Sequence, residues 1–134
     1  MKSGVILILL FLLFGIAGGT YKWCEVPRSR IYGKYEIDRK FYPGGNADWQ
    51  HSLFNFQITK NDEFIFTEKL KDGSRKDIRG NIEWYRISTP HLFKIAGTTS
   101  SLIDEYPSHY RGNCKFYFVF QTKYGNMFYR KTSS

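Results

Sequence analysis

The stretch Phe41-Tyr-Pro-Gly-Gly-Asn-Ala-Asp-Trp-Gln-His51 brings an indole, a phenol, a carboxylate, amides and an imidazole together. Pro43-Gly44-Gly45 is a turn signal, and Asn46-Ala47-Asp48 offers side-chain oxygens that can cap a helical turn. Such a segment works as a ligand-contact lid over the mouth of a barrel. It works equally as a plug, with Trp49 filling the open end and Asp48 bonding loop amides. The large apolar area of the indole favours the plug. Tyr42, Asp48, Trp49 and His51 are the candidate ligand contacts, with Trp84 from a later strand.

Acid–base chemistry has fewer resources. Its candidates are Asp48, His51, Asp104, Glu105 and His109. Asp104 and Glu105 are adjacent, so in extended chain they point apart, whereas glycosidase chemistry needs two carboxylates facing each other. There is no GxSxG elbow and no HExxH pair, and His51, His91 and His109 are scattered. Two cysteines are too few for a four-thiolate zinc site. No catalytic residue, metal or cofactor is assigned, and an enzyme is not expected. Cys24 and Cys114 are a candidate disulfide in an oxidising compartment. Closing so long a loop stabilises by up to roughly 4 kcal/mol in the chain-entropy model. Two unrelated thiols are the alternative.

The elements that position these residues show period-2 alternation. Tyr35, Ile37 and Phe41 share a face over 35–41. Phe54, Phe56 and Ile58 form a hairpin with Phe64, Phe66 and Leu70 across the Asn61-Asp62 turn. Asp72-Gly73 turns into a strand over 76–87 with Ile78, Gly80, Ile82 and Trp84 on one face. Pro90 separates it from a strand at 91–96. Residues 97–112 lack alternation and read as a short helix or an irregular crossing. Phe116, Phe118 and Phe120 face inward, and Tyr124-Gly125-Asn126 turns into a last strand at 127–131. Short connections favour antiparallel neighbours. The fold expected is all-β: a small antiparallel meander barrel of about seven to eight strands after an N-terminal hydrophobic helix. A two-sheet β-sandwich is the alternative. Closure removes exposed edges and so favours the barrel.

Length and charge set the context. The chain has 134 residues, 42% hydrophobic, 24% charged and 19% aromatic. That fits one globular domain rich in strands. The run from Ser3 to Tyr21 is uncharged, with no polar stripe. It reads as a signal peptide cleaved after Ala17-Gly18-Gly19, or as a membrane anchor with Tyr21 and Trp23 at the interface. The domain plan is therefore 1–21 signal peptide or anchor, 22–32 linker and 33–134 barrel. Lys22, Arg28, Arg30 and Lys34 come after the run and pull against export by the positive-inside rule. Short N-terminal apolar segments nevertheless commonly export the domain behind them. The expected location is the cell envelope, inner-membrane anchored or secreted, with the folded domain on the extracytoplasmic side. The net charge of +8 is interleaved with acids, as in Arg75-Lys76-Asp77, and no basic run of five occurs. Nucleic acid is not expected as a partner, and no protein partner is specified. The membrane is expected as a partner through the N-terminal segment.

Gly33-Lys-Tyr-Glu-Ile-Asp-Arg-Lys-Phe-Tyr-Pro-Gly-Gly-Asn-Ala-Asp-Trp-Gln50 resembles the opening of a group of small uncharacterised bacterial envelope proteins. Phe116-Tyr-Phe-Val-Phe120 and Gly125-Asn-Met-Phe-Tyr-Arg-Lys131 are similar to their ending. Gly33 and Tyr35 also resemble the Gly-x-aromatic of lipocalins, which carry Trp at the second position. The likeness implies a calycin-like barrel that binds a small hydrophobic or amphipathic ligand. The large inward rings instead suit a structural or protein-interaction module with a filled core and no ligand.

Overall fold

The computed structural model describes residues 26–85, 92–112 and 115–133. A short turn of helix, α1 (Arg28–Ile31), leads into β1 (Gly33–Ile37) and then helix α2 (Gly45–Leu53). Seven strands come next: β2 (Phe54–Ile58), β3 (Glu63–Lys69), β4 (Arg75–Trp84), β5 (Phe93–Ala96), β6 (Ser108–Gly112), β7 (Lys115–Thr122) and β8 (Gly125–Ser133). They form one sheet in the order β5-β4-β3-β2-β1-β8-β7-β6, with every pair antiparallel. The chain is therefore an all-β antiparallel meander in a single curled sheet, and the sandwich alternative falls. β1 is the middle strand, held by β2 on one side and β8 on the other.

Aromatic burial curls the sheet. Phe56 stacks on Tyr35 at 4.5 Å and Phe120 at 5.2 Å, and meets Tyr129 edge-on at 4.8 Å. All four rings are essentially inaccessible to solvent. Phe93 of β5 reaches Phe118 of β7 at 5.2 Å, so opposite limbs of the sheet meet through their rings. Each fully buried ring of this kind contributes about 1.5–3 kcal/mol of apolar transfer. The interior is thus packed by side chains, and Ile31 of α1 joins it. The stretch expected as linker is therefore part of the folded unit from α1 onward.

Among the described residues, the edges β5 and β6 show no pairing with each other. The connection 97–107 lies along the seam: Ile95 N–H donates to the Glu105 carbonyl at 2.8 Å. Asp104 accepts from Tyr106 N–H at 2.9 Å and from Gln121 N–H of β7 at 3.2 Å.

Several expectations need correction. The first strand stops at Ile37, because Asp38 turns the chain: its N–H donates to the Phe128 carbonyl, and its own carbonyl accepts from Phe41 N–H. Phe41 therefore lies on the outside. Leu70 leaves the inner face because β3 ends at Lys69 and the turn begins there. The irregular crossing over 97–112 ends in a true strand, β6. The hydrophobic N-terminal segment, Cys24, Pro90, His91 and Cys114 lie outside the described residues. Among the described residues, no helix is long and apolar enough to cross a membrane.

Candidate functional site

The segment expected as a loop folds as helix α2 across one end of the barrel. Gly44, at φ +153°, turns the chain into the helix with no side-chain cap. Asp48 N–H donates to the Gly44 carbonyl at 3.1 Å, the first bond of the helix, leaving the amides of Gly45, Asn46 and Ala47 ahead of it. Ala47 and Gln50, one turn apart, point into the fold and are buried. They form the buried face of the helix, and Trp49 does not. Trp49 is 41% exposed and lies edge-on to Phe54 and Tyr124, each at 5.6 Å. The correction has a simple cause: at helical spacing the inward face takes residues 47 and 50, which turns 49 outward.

The remaining candidates separate. Asp48 projects from the helix and faces Arg39 at 3.7 Å, with most of its side chain in solvent. His51 lies 3.6 Å from Glu36, whose other carboxylate oxygen takes Arg130 at 2.8 Å. Trp84 sits near the opposite end, beside the β2–β3 turn. There its indole N–H donates to Asp62 at 2.8 Å, the Tyr32 hydroxyl donates to the same carboxylate oxygen at 2.9 Å, and the Arg28 guanidinium covers its ring at 4.8 Å. Trp84 therefore belongs to a structural cluster away from α2. Asp104 binds backbone amides of the seam, and His109 is buried on β6. Among the described residues, no cluster of three or more His, Cys, Asp or Glu could hold a metal ion.

Tyr42 is the candidate that finds company. It is 65% exposed and stacks on Phe128 of β8 at 5.0 Å with 26° between the planes. Phe41 packs on Phe128 at 5.0 Å and on Tyr117 of β7 at 4.8 Å. These four rings form an aromatic patch on the outside of the sheet. Beside it, a cavity of about 440 Å³ opens between α2, the 38–44 turn and the start of β8. Tyr42, Phe128, Ile37 and Pro43 supply its apolar wall; Asp38, Asn46, Gln50 and Asn126 supply polar groups. Gln50 is 2% exposed, and its amide nitrogen has no hydrogen-bond partner. A second hollow of about 290 Å³ lies on the other side of α2, between Trp49, Leu53, Leu70, Tyr124 and their neighbours.

Sequence reasoning found Tyr42 but missed Phe41, Phe128, Asn126, Asp38 and Gln50 as its companions. Only the placement of the β7–β8 hairpin beside β1 brings Asn126 and Phe128 to the 38–44 turn. No family model, curated protein or solved structure matches this chain.

Proposed function

We propose that the chain is a non-enzymatic envelope domain, exported or membrane-anchored, that binds an amphipathic small molecule on the outside of its barrel. The observation that carries this reading is the contrast between a ring-filled interior and a cavity beside α2. A lipocalin-like ligand needs open lumen, and the burial of Tyr35, Phe56, Phe118, Phe120 and Tyr129 against one another supports a filled interior instead. The cavity beside α2 has a volume in the range of small-molecule sites, and a mixed apolar and polar lining. The exposed ring of Tyr42 stacks on Phe128 and stays outside the buried core, which supports its reading as a contact surface.

The test is native mass spectrometry of the full chain recovered from its membrane fraction, followed by denaturation. The expected result is added mass that is lost on denaturing and absent from Tyr42→Ala. Bare mass in the wild type overturns small-molecule binding. A second reading, a protein-interaction module, draws on the exposed Trp49 and Tyr124 pair with Leu70 at the same end of the barrel. Exposed aromatic clusters of this kind are favoured as protein-binding anchors.

A further inference from the structure

We infer that the cavity between α2 and β8 receives a neutral saccharide ring, with Tyr42, backed by Phe128, as its stacking floor and the Gln50 amide as a donor to a sugar oxygen. This deepens the binding reading above and rests on it. Four observations select the class.

The floor is aromatic and flat. Tyr42 lies stacked over Phe128 at 5.0 Å with 26° between the planes and is 65% exposed, so it offers one ring-sized aromatic face backed by a second ring. The apolar face of a pyranose matches such a surface, because its axial C–H groups meet the electron-rich face of the rings.

The polar lining contains donors and acceptors together. Gln50 and Asn46 come from α2, Asn126 from the β7–β8 turn and Asp38 from the end of β1. Amides offer both N–H and C=O, and a carboxylate accepts from hydroxyls. Oδ1 of Asp38 is engaged by the Lys40 amide at 3.0 Å. Its carboxylate retains acceptor capacity beyond that bond. A fatty acyl chain would leave most of these groups unsatisfied.

The lining contains no Lys or Arg, although the chain as a whole is strongly basic. The adjacent Arg39 faces Asp48 instead. With a carboxylate present and no cationic side chain, the site is unsuited to a phosphate or carboxylate ligand, even at the first turn of a helix.

A buried donor waits for an acceptor. The Gln50 amide nitrogen is enclosed, unpartnered, and carried by a side chain that lines the cavity. Buried amides without partners are uncommon and costly, so a ligand oxygen at this point would satisfy a standing deficit.

The experiment is isothermal titration of the full chain, held in nanodiscs of zwitterionic lipid so that no detergent competes for the cavity. Three probes are used: N,N′-diacetylchitobiose as a wall-type amino sugar, maltose as a storage-type sugar, and dodecanoate as an apolar amphiphile. Binding of either disaccharide, weakened at least tenfold by Tyr42→Ala and by Gln50→Leu but not by Trp49→Ala, supports the inference, and the preferred sugar identifies the source. Tyr42 is mostly in solvent, so its truncation leaves the fold intact even if Gln50→Leu does not. Dodecanoate binding that depends on Tyr42, with neither sugar bound, overturns the saccharide and retains an amphiphile site. Sugar binding unchanged in Tyr42→Ala overturns the placement. Silence with all three probes overturns the saccharide and counts equally against the small-molecule reading.

Discussion

Two tyrosines show how a hydroxyl in a ring-filled core earns or forfeits its place. Tyr35 donates its hydroxyl to the Ile31 carbonyl and so ties α1 to the sheet. Among the described residues, the Tyr129 hydroxyl is placed against the Met127 sulfur at 3.5 Å, a weak acceptor. Tyr35→Phe is expected to cost about 1–2 kcal/mol by orphaning a carbonyl, and Tyr129→Phe about 0–1 kcal/mol, both read by urea unfolding at pH 7. Burial raises the pKa of both phenols far above the ordinary tyrosine value near 10. The folded state therefore holds both protons where the unfolded chain has released them. Stability from this source is complete below pH 10 and is lost as pH rises beyond it. The slope is about 1.4 kcal/mol per pH unit for each buried tyrosine. Alkaline unfolding above pH 10 is expected to move to higher pH in Tyr129→Phe, although that variant barely differs from wild type at pH 7. An unchanged alkaline midpoint would show that Tyr129 ionises without unfolding.

At the scale of elements, the strands were legible because one side of each is buried, and burial imposes period 2. β2 and β3 alternate cleanly, and their register pairs Phe56 with Phe66 and Ile58 with Phe64. Helix α2 was legible only as a capped helical turn at 46–48, not as a helix running to Leu53. Its inward stripe is Ala47, Gln50 and the half-buried Leu53, with a polar residue at the centre, so no clear apolar 3.6 period marks it. The candidate site was legible in part for the same reason: chemical variety singled out the 41–51 segment, yet the inward residue proved to be Gln50. The Gly80 position on β4 carries a packing requirement that alternation alone does not announce. A Cβ there would lie 2.7 Å from the Ala96 carbonyl oxygen and 2.8 Å from the Thr98 methyl carbon. The carbonyl is backbone of the neighbouring edge strand, so it yields only if β5 moves. Gly80→Ala is expected to destabilise by about 1–3 kcal/mol, with faster amide exchange concentrated in β5. A variant as stable as wild type would mean that the β4–β5 pairing is slack.

For the whole molecule, the question is what holds a curled sheet whose two edges, β5 and β6, show no pairing among the described residues. Short connections anticipated the meander, but nothing in the sequence announced that the β5–β6 link would run along the seam rather than across an end. Two hydrogen bonds made by the link show how it works. The Glu105 carbonyl takes the Ile95 N–H on the β5 side, and one Asp104 oxygen takes the Gln121 N–H on the β7 side. The segment 104–105 therefore bridges both limbs and blunts an edge that would otherwise be open to other strands. The core rings already bring the limbs together through Phe93 and Phe118, so the bridge contributes more to local closure than to global stability. Both carboxylate bonds are exposed, so Asp104→Ala is expected to lower unfolding free energy by only about 0.5–1.5 kcal/mol, the net worth of an ordinary hydrogen bond. It is expected to raise hydrogen exchange roughly tenfold at the amides of Ile95 and Gln121, with β2 and β3 unchanged. Mass-resolved exchange on the full chain separates the alternatives. Uniform acceleration would make the seam part of the global cooperative unit. No change at Ile95 would mean that the rings alone set the curl, and that the link merely lies over it.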